Sequence, residues 1–479
     1  SFRKGLKDFS KRKKWLGPIE NLKNKEKMYE VFFELKKPIG LYNDRLALVT
    51  KVKKDRVEVL FKNKQKTNLY RSNLNIIKEK EFNFENKFKI GDVLVLEFDE
   101  SNNIFNLSQI PKVNGGMVVM DNRTGRVLAM IGGYDSSSSF NRSTQAKRQL
   151  GSSFKPIVYL TALENGYTPI SKVLDAPFVV DDYSDKGVWR PTNYGDKFYG
   201  PSTLRLGIEK SRNLMTVRLS DQLGLDKISK VSLKLGVYEK FPNLISSSLG
   251  SLESTLQKIT AAYATIANGG YKVEANLIDV IYDSNGEVLY KADQRQCLDC
   301  VVDNNLISNP SALKRITIPE IKNNSLKVFS EESAYQMTSF LMGVIKRGTA
   351  KNINNFNFQI AGKTGTTNNN QDAWFIGYNS ELTVGVFVGY DVPKSLGRFE
   401  TGSKVAAPIF NDFMKKIYSK KSPRPFIIPK SIKFMNIDLF TGEPTNEKYI
   451  TEAFKSDFSF DNIENKNNQN KNLEFRGFY

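Results

Sequence analysis

Residues 149–166 read QLGSSFKPIVYLTALENG, and the fold is decided by how this stretch is read. A serine precedes a long apolar run, the pattern of a helix start with Ser152 at or near the cap. Pro156 falls in the first turn, where its missing N–H matters little. On such a helix Ser152 and Lys155, three residues apart, share a face, so the amine reaches the hydroxyl. Ser10-Lys11-Arg12-Lys13 has the same spacing, but inside a charge run where lysine stays protonated. Lys155 instead lies between Phe154 and Pro156, ahead of Ile157–Leu160, and burial there lowers an amine's pKa. Two readings of the pair stand side by side: a serine activated by a neutral lysine, or a capping serine with a snorkelling lysine.

Upstream, residues 115–133 (GGMVVMDNRTGRVLAMIGG) form two apolar strands around a turn at Asn122–Gly125. Downstream, residues 251–270 and 330–348 carry helical apolar faces between Ser-rich starts and glycine stops. FNFQIAGKTG, AWFIGYN and LTVGVFVGYD then return to strands. Hairpin, helices and a late run of strands give an α+β order, an antiparallel sheet flanked by helices. Ahead of it, LALVTKVKK, DRVEVLFKN, GDVLVLEFDE and NIFNLSQ alternate with period two, which predicts a small all-β barrel whose closure covers its edges. The expected division is 1–28, a basic solvated linker containing KRKKWLGP; 29–112, the barrel; 113–425, the α+β domain; and 426–479, an extension loosely ordered over 455–479.

The chain has 479 residues, no histidine and two cysteines. Lacking an imidazole, it excludes Ser-His-Asp hydrolases, Cys-His proteases and the usual zinc hydrolases. No metal and no cofactor is expected. Cys297 and Cys300 form either a local disulfide or two free thiols. The 71 basic against 51 acidic residues leave +20, which favours an anionic partner without choosing among nucleic acid, membrane and acidic polymer. No run of about 18 apolar residues occurs. The opening SFRKGLKDFSKRKKW, without an initiator Met, reads as a piece of a longer protein.

Two further motifs carry chemistry. Ser211-Arg212-Asn213 sits at a helix end or connecting loop, where a hydroxyl and an amide two residues apart both point into a cleft. Lys363-Thr364-Gly365-Thr366 ends a strand; alternate threonines face one side, and Gly365 permits close approach to the backbone. Such an edge suits a carboxylate and offers an oxyanion donor.

In the order Ser-x-x-Lys, Ser-x-Asn, Lys-Thr-Gly, the three motifs are those of penicillin-binding proteins and serine β-lactamases. The chain resembles bifunctional class A penicillin-binding proteins of the 1A type through RQLGSSFKPIVYLTALENGYTP, WRPTNYGDKFYGPSTLRLGIEKSRNLMTVRL, AGKTGTTNNNQDAWFIGYN, MVVMDNRTGRVLAMIGG and TGSKVAAPIFNDFM. The resemblance implies a transpeptidase domain preceded by an OB-like insert. It makes Ser152 the acylated nucleophile, Lys155 its base, Ser211 a proton relay and Asn213 a holder of Lys155 and substrate. Lys363, Thr364, Gly365 and Thr366 would take the carboxylate of a peptidoglycan stem peptide or β-lactam, with oxyanion donors from the Ser152 and Thr366 N–H groups. Trp189 and Tyr194, with Tyr199, are expected to wall the cleft. The family's glycosyltransferase domain and N-terminal membrane helix are not in this sequence. The implied address is the periplasmic face of the inner membrane, with activator proteins as possible partners. D,D-Carboxypeptidases and β-lactamases share the motifs. A nucleic-acid-binding OB protein would leave them unexplained, so no nucleic-acid partner is expected.

Overall fold

The structure, a computed structural model, describes residues 1–24, 26–135, 138–181, 188–298, 320–353 and 355–460. It opens on helix α1 (Phe2–Lys11), whose Phe2, Leu6 and Phe9 recur at helical spacing and enter the core of the large domain. Its polar side reaches the small domain: Lys7 Nζ lies 2.6 Å from Asp44 Oδ1 and 3.0 Å from Glu97 Oε1, and Lys11 also pairs with Glu97. Arg12 and Lys13 share Glu400. The opening is thus a packed bracket between domains, and three of the four consecutive basic residues at 11–14 are spent on ion pairs instead of hydration.

The small domain contains β1 (Glu20–Asn21), α2 (Met28–Glu34), β2 (Arg45–Val52), β3 (Arg56–Phe61), β4 (Lys66–Tyr70), α3 (Phe84–Lys87), β5 (Asp92–Asp99) and β6 (Ile104–Ser108). The strands run β1-β5-β2-β3-β4, with β6 beside β1 on the same edge of β5, and every pairing is antiparallel. The expected barrel is corrected here to an open sheet, since among the described residues no ladder joins β4 to β1 or β6. The reason lies in what fills the gap. The chain leaves β4 through a 3₁₀ turn at Arg71–Asn73, and Leu74, Ile76, Ile77, Phe84 and Phe88 pack with Trp15 into the concave face. Side chains, not strand pairing, seal the interior. The alternation in β2 and β5 feeds both faces: Ala47, Val49, Leu94 and Leu96 join that cluster, while Leu46, Leu48, Val93 and Val95 pack under Met28 and Phe32 of α2.

The large domain is α+β, as its element order implies. In chain order it holds β7 (Asn114–Asp121), β8 (Val127–Ile131), α4 (Lys155–Glu164), β9 (Lys172–Asp175), β10 (Gly200–Thr203), α5 (Leu204–Glu209), α6 (Asn213–Leu223), α7 (Leu225–Lys234), α8 (Leu256–Ala267), α9 (Glu331–Lys346), β11 (Ala361–Thr366), β12 (Asp372–Tyr378), β13 (Leu382–Gly389) and α10 (Gly402–Ile417). Five strands form the antiparallel sheet β11-β12-β13-β7-β8. Helix α8 covers one face, and α10, with Phe410 against Phe375, covers the other. Helix α4 is buried on every side, which is why its sequence shows an apolar run instead of one stripe. After α10 come β14 (Ile432–Ile437) and β15 (Ile450–Lys455), a hairpin anchored by Glu452, which pairs with buried Arg205 of α5. Glu209 holds Arg205 from the other side. The expected looseness of 455–479 falls, beyond Phe460, outside the described residues. Cys300 lies outside them too, so the Cys297–Cys300 alternatives stay open.

Candidate active site

The three motifs come from three parts of the chain and meet at the β11 edge of the sheet. Ser152 sits on a 3₁₀ turn (Gly151–Ser153) directly before α4, so the helix begins three residues later than its sequence suggests. That turn is wedged against β11. Gly151 has φ +51°, and a Cβ there would stand 2.6 Å from the Thr366 carbonyl oxygen. A Cβ on Gly365 would stand 3.0 Å from both the Leu150 carbonyl oxygen and Ser153 Oγ. Glycine at both positions lets the turn and the strand touch.

The two adjacent serines have separate fates. Ser153 is fully buried, its hydroxyl donates to the Leu150 carbonyl, and its carbonyl accepts from Tyr263 Oη at 2.7 Å. Ser152 is half-buried and its hydroxyl has no hydrogen-bond partner among the described residues. Ser153 holds the turn; Ser152 is left available.

Lys155 and Lys363 are both wholly buried. Lys155 Nζ donates to the Ser211 carbonyl and to Asn213 Oδ1, each at 2.6 Å, and lies 3.4 Å from Ser211 Oγ. Lys363 Nζ donates to Ser211 Oγ at 2.8 Å and to the Thr364 carbonyl at 3.0 Å. Ser211 occupies the left-handed region (φ +56°) between α5 and α6, which turns its carbonyl and hydroxyl toward the two lysines. Neither amine faces a carboxylate at ion-pair distance among the described residues. Burial, then the charge of Lys363, drives Lys155 well below the ordinary lysine value, with Asp175 opposing. Burial pushes Lys363 down to about 7. The pair thus supplies an amine of strongly lowered pKa 3.4 Å from the Ser211 hydroxyl and a second amine that titrates at about 7.

Thr364 shares a hydrogen bond with Thr349, hydroxyl to hydroxyl, at 2.7 Å. Thr366 Oγ1 accepts from the Gly402 N–H at 3.0 Å, which leaves its O–H free to donate. Trp189 is half-buried in a two-residue strand against Val180–Asp181, and Tyr194 is 73% exposed; neither makes a hydrogen bond or ring contact to the lysine cluster. What meets the cluster from that side is the Thr192 carbonyl and the Asn193 side chain: Asn213 Nδ2 donates to the Thr192 carbonyl at 2.7 Å, and Asn193 Oδ1 accepts from the Asn213 N–H at 2.8 Å. Thr192 and Asn193 escaped the reading of the sequence. Their only signal was the Pro-Thr-Asn-Tyr-Gly turn that carries them.

The penicillin-binding protein transpeptidase domain model matches residues 115–415. The chain belongs to that family. The penicillin-binding protein OB-like domain matches residues 15–113. Penicillin-binding protein 1A of Rickettsia conorii is 42% identical over 95% of this chain, which spans 57% of that relative's length. The crystal structure of penicillin-binding protein 1A from Haemophilus influenzae superposes with a TM-score of 0.78 at 27% identity, covering 95% of this chain and 69% of that one. A Mycobacterium tuberculosis penicillin-binding protein solved with penicillin V shares the fold alone, at a TM-score of 0.53 and 22% identity over 70% of this chain and 83% of that one. No helix among the described residues is long and apolar enough to cross a membrane.

Proposed function

We propose that this chain is a serine D,D-transpeptidase that cross-links peptidoglycan stem peptides and is acylated by β-lactams. The observation that carries the reading is the hydrogen-bonded cluster of Lys155, Ser211, Asn213 and Lys363 next to an unpartnered Ser152 hydroxyl. In this reading Lys155 takes the Ser152 proton as Oγ attacks the penultimate D-Ala carbonyl. The peptide C–N bond breaks, and terminal D-Ala leaves with a proton relayed through Ser211. An amine of a neighbouring stem peptide then takes the acyl group and frees Ser152. Asn213 holds Lys155 in place, and Lys363, Thr364 and Thr366 receive the substrate carboxylate beside Gly365.

In the same reading the units are 1–28, 29–112, 113–425 and 426–479. The parent protein also polymerises glycan strands, is anchored in the inner membrane, works on its periplasmic face, and answers to activator proteins. Family membership and the chain's 57% share of the R. conorii relative support this part. Incubation with a fluorescent penicillin tests the reading: an acyl-enzyme that persists for many minutes is expected. Rapid turnover would point to a β-lactamase, and no adduct at all would overturn the reading.

A further inference from the structure

A buried carboxylate lies behind the lysine cluster with no part in the steps above. Asp175 ends β9, is fully buried, and uses Oδ1 to accept from Asn193 Nδ2 at 2.6 Å. Asn193 also donates to the Lys197 carbonyl at 2.9 Å, and its own Oδ1 accepts from the Asn213 and Leu214 N–H groups at 2.8 and 3.3 Å. With donors on one side and acceptors on the other, the Asn193 amide has one orientation. It caps the start of α6 and fixes Asn213, whose Oδ1 is the acceptor for Lys155 Nζ. Asp175, Asn193, Asn213 and Lys155 therefore form one line, which enters Asn213 at its backbone N–H and leaves it at its side-chain Oδ1.

Asp175 Oδ2 has no hydrogen bond among the described residues. Its near cation is Arg212, Nη1 at 3.4 Å, and that guanidinium is itself held by Ser202 Oγ at 2.6 Å and by the Tyr199 ring at 4.1 Å. Asp175 is thus ion-paired with Arg212 without a hydrogen bond between them, and its buried charge also acts on Lys155.

We propose that Asp175 is a positioning residue for Lys155, fixing Asn213 through Asn193 and supplying a buried negative charge toward Lys155. The inference rests on the reading of Lys155 as the base of acylation. The charged groups acting on Lys155 are Lys363 from β11 and Asp175 from β9; those acting on Asp175 are Arg212, Lys155 and Arg218. Lys363 lowers the Lys155 pKa and Asp175 raises it, so losing the Asp175 charge moves Lys155 further down. Because the neutral amine is the active form, the rising limb of the acylation rate then moves to lower pH.

Three variants of the 479-residue chain separate charge from position, each assayed by acylation with a fluorescent penicillin from pH 4 to 9 and by thermal unfolding. Asp175→Asn keeps an acceptor for Asn193 while removing the charge and its ion pair with Arg212. Its limb is expected at lower pH, with a plateau within about threefold of the unmodified chain. Asn193→Ala keeps the charge and cuts the line; its plateau is expected to fall roughly five- to tenfold, the worth of about one hydrogen bond, with the limb in place. Asp175→Ala combines both, and Asp175→Asn recovers its plateau but not its limb. A merely structural carboxylate would lower the unfolding temperature of all three without moving the limb. Wild-type acylation together with an unmoved Asp175→Asn limb, or an unchanged Asn193→Ala plateau, overturns the inference alone. A wild-type chain that is not acylated overturns the reading of the site and this inference with it.

Discussion

Lys363 gives the sharpest pH prediction. It is wholly buried, has no carboxylate at ion-pair distance among the described residues, and burial pushes its pKa down to about 7. A carboxylate-bearing β-lactam that docks against β11 supplies the missing counter-charge, so binding favours the protonated amine and raises its pKa. At pH 8 a group with a pKa of about 7 is protonated in roughly one molecule in eleven, and each further unit costs another factor of about ten. The second-order acylation constant should therefore fall about tenfold per pH unit above neutrality. The first-order step at saturation should not fall, because the bound carboxylate holds Lys363 protonated and deprotonation of Lys155 only favours its role as base. The two constants are separated by stopped-flow acylation at several penicillin concentrations. Repeating the series with the methyl ester of the same penicillin removes the carboxylate, and the alkaline limb should vanish. Lys363→Ala should lower the constant for the acid at pH 6 by roughly ten- to a hundredfold more than that for the ester, the worth of one charge-assisted hydrogen bond, since the ester loses only what Lys363 does through Ser211 and Lys155. An ester that keeps the alkaline limb, or an acid that lacks one, would refute the reasoning.

The other expectations concern how the site is held. Glu452→Ala strips buried Arg205 of one partner but leaves Glu209, so urea unfolding should show a loss of about 3 kcal/mol; less than about 1 kcal/mol would mean that the hairpin is not anchored there. Gly365→Ala places a methyl 2.9–3.0 Å from Trp374 Cβ, the Leu150 carbonyl oxygen and Ser153 Oγ, and should lift the Ser152 turn off β11. Acylation should drop at least tenfold while overpacking takes about 1–3 kcal/mol from stability, and unchanged acylation would contradict the close approach described. Trp15→Ala empties a core position of the small domain, against Phe88, and should destabilise by about 3–5 kcal/mol with acylation of the folded chain unchanged.

Much of the site was legible because each motif is local. Ser152 and Lys155 lie one turn apart, Ser211 and Asn213 span one turn between helices, and Lys363–Thr366 ends one strand, so each motif stands in one short stretch and the family resemblance supplies the roles. Asp175, Asn193 and Thr192 were not legible. Thr192 and Asn193 reach Asn213 from about 20 positions away and Asp175 reaches Asn193 from 18, and nothing in the local sequence records those contacts. The strands of the small domain were also readable, since each alternates with period two. Their closure was not, because it depends on what residues 71–88 fill, and that is a matter of packing, not of pattern. Helix α1 shows the opposite case. Phe2, Leu6 and Phe9 held the helical signal, but the adjacent lysines and arginines suggested a solvated linker.

Acylation has two neighbouring candidate hydroxyls. Ser153 Oγ is committed to the Leu150 carbonyl, whereas Ser152 Oγ has no hydrogen-bond partner among the described residues. Mass spectrometry of peptides from the chain after reaction with penicillin decides between them. The expected result is one penicilloyl adduct on Ser152, absent from Ser152→Ala, with the variant unfolding at nearly the same temperature. An adduct on Ser153 or any other residue, or labelling that survives in Ser152→Ala, would contradict it.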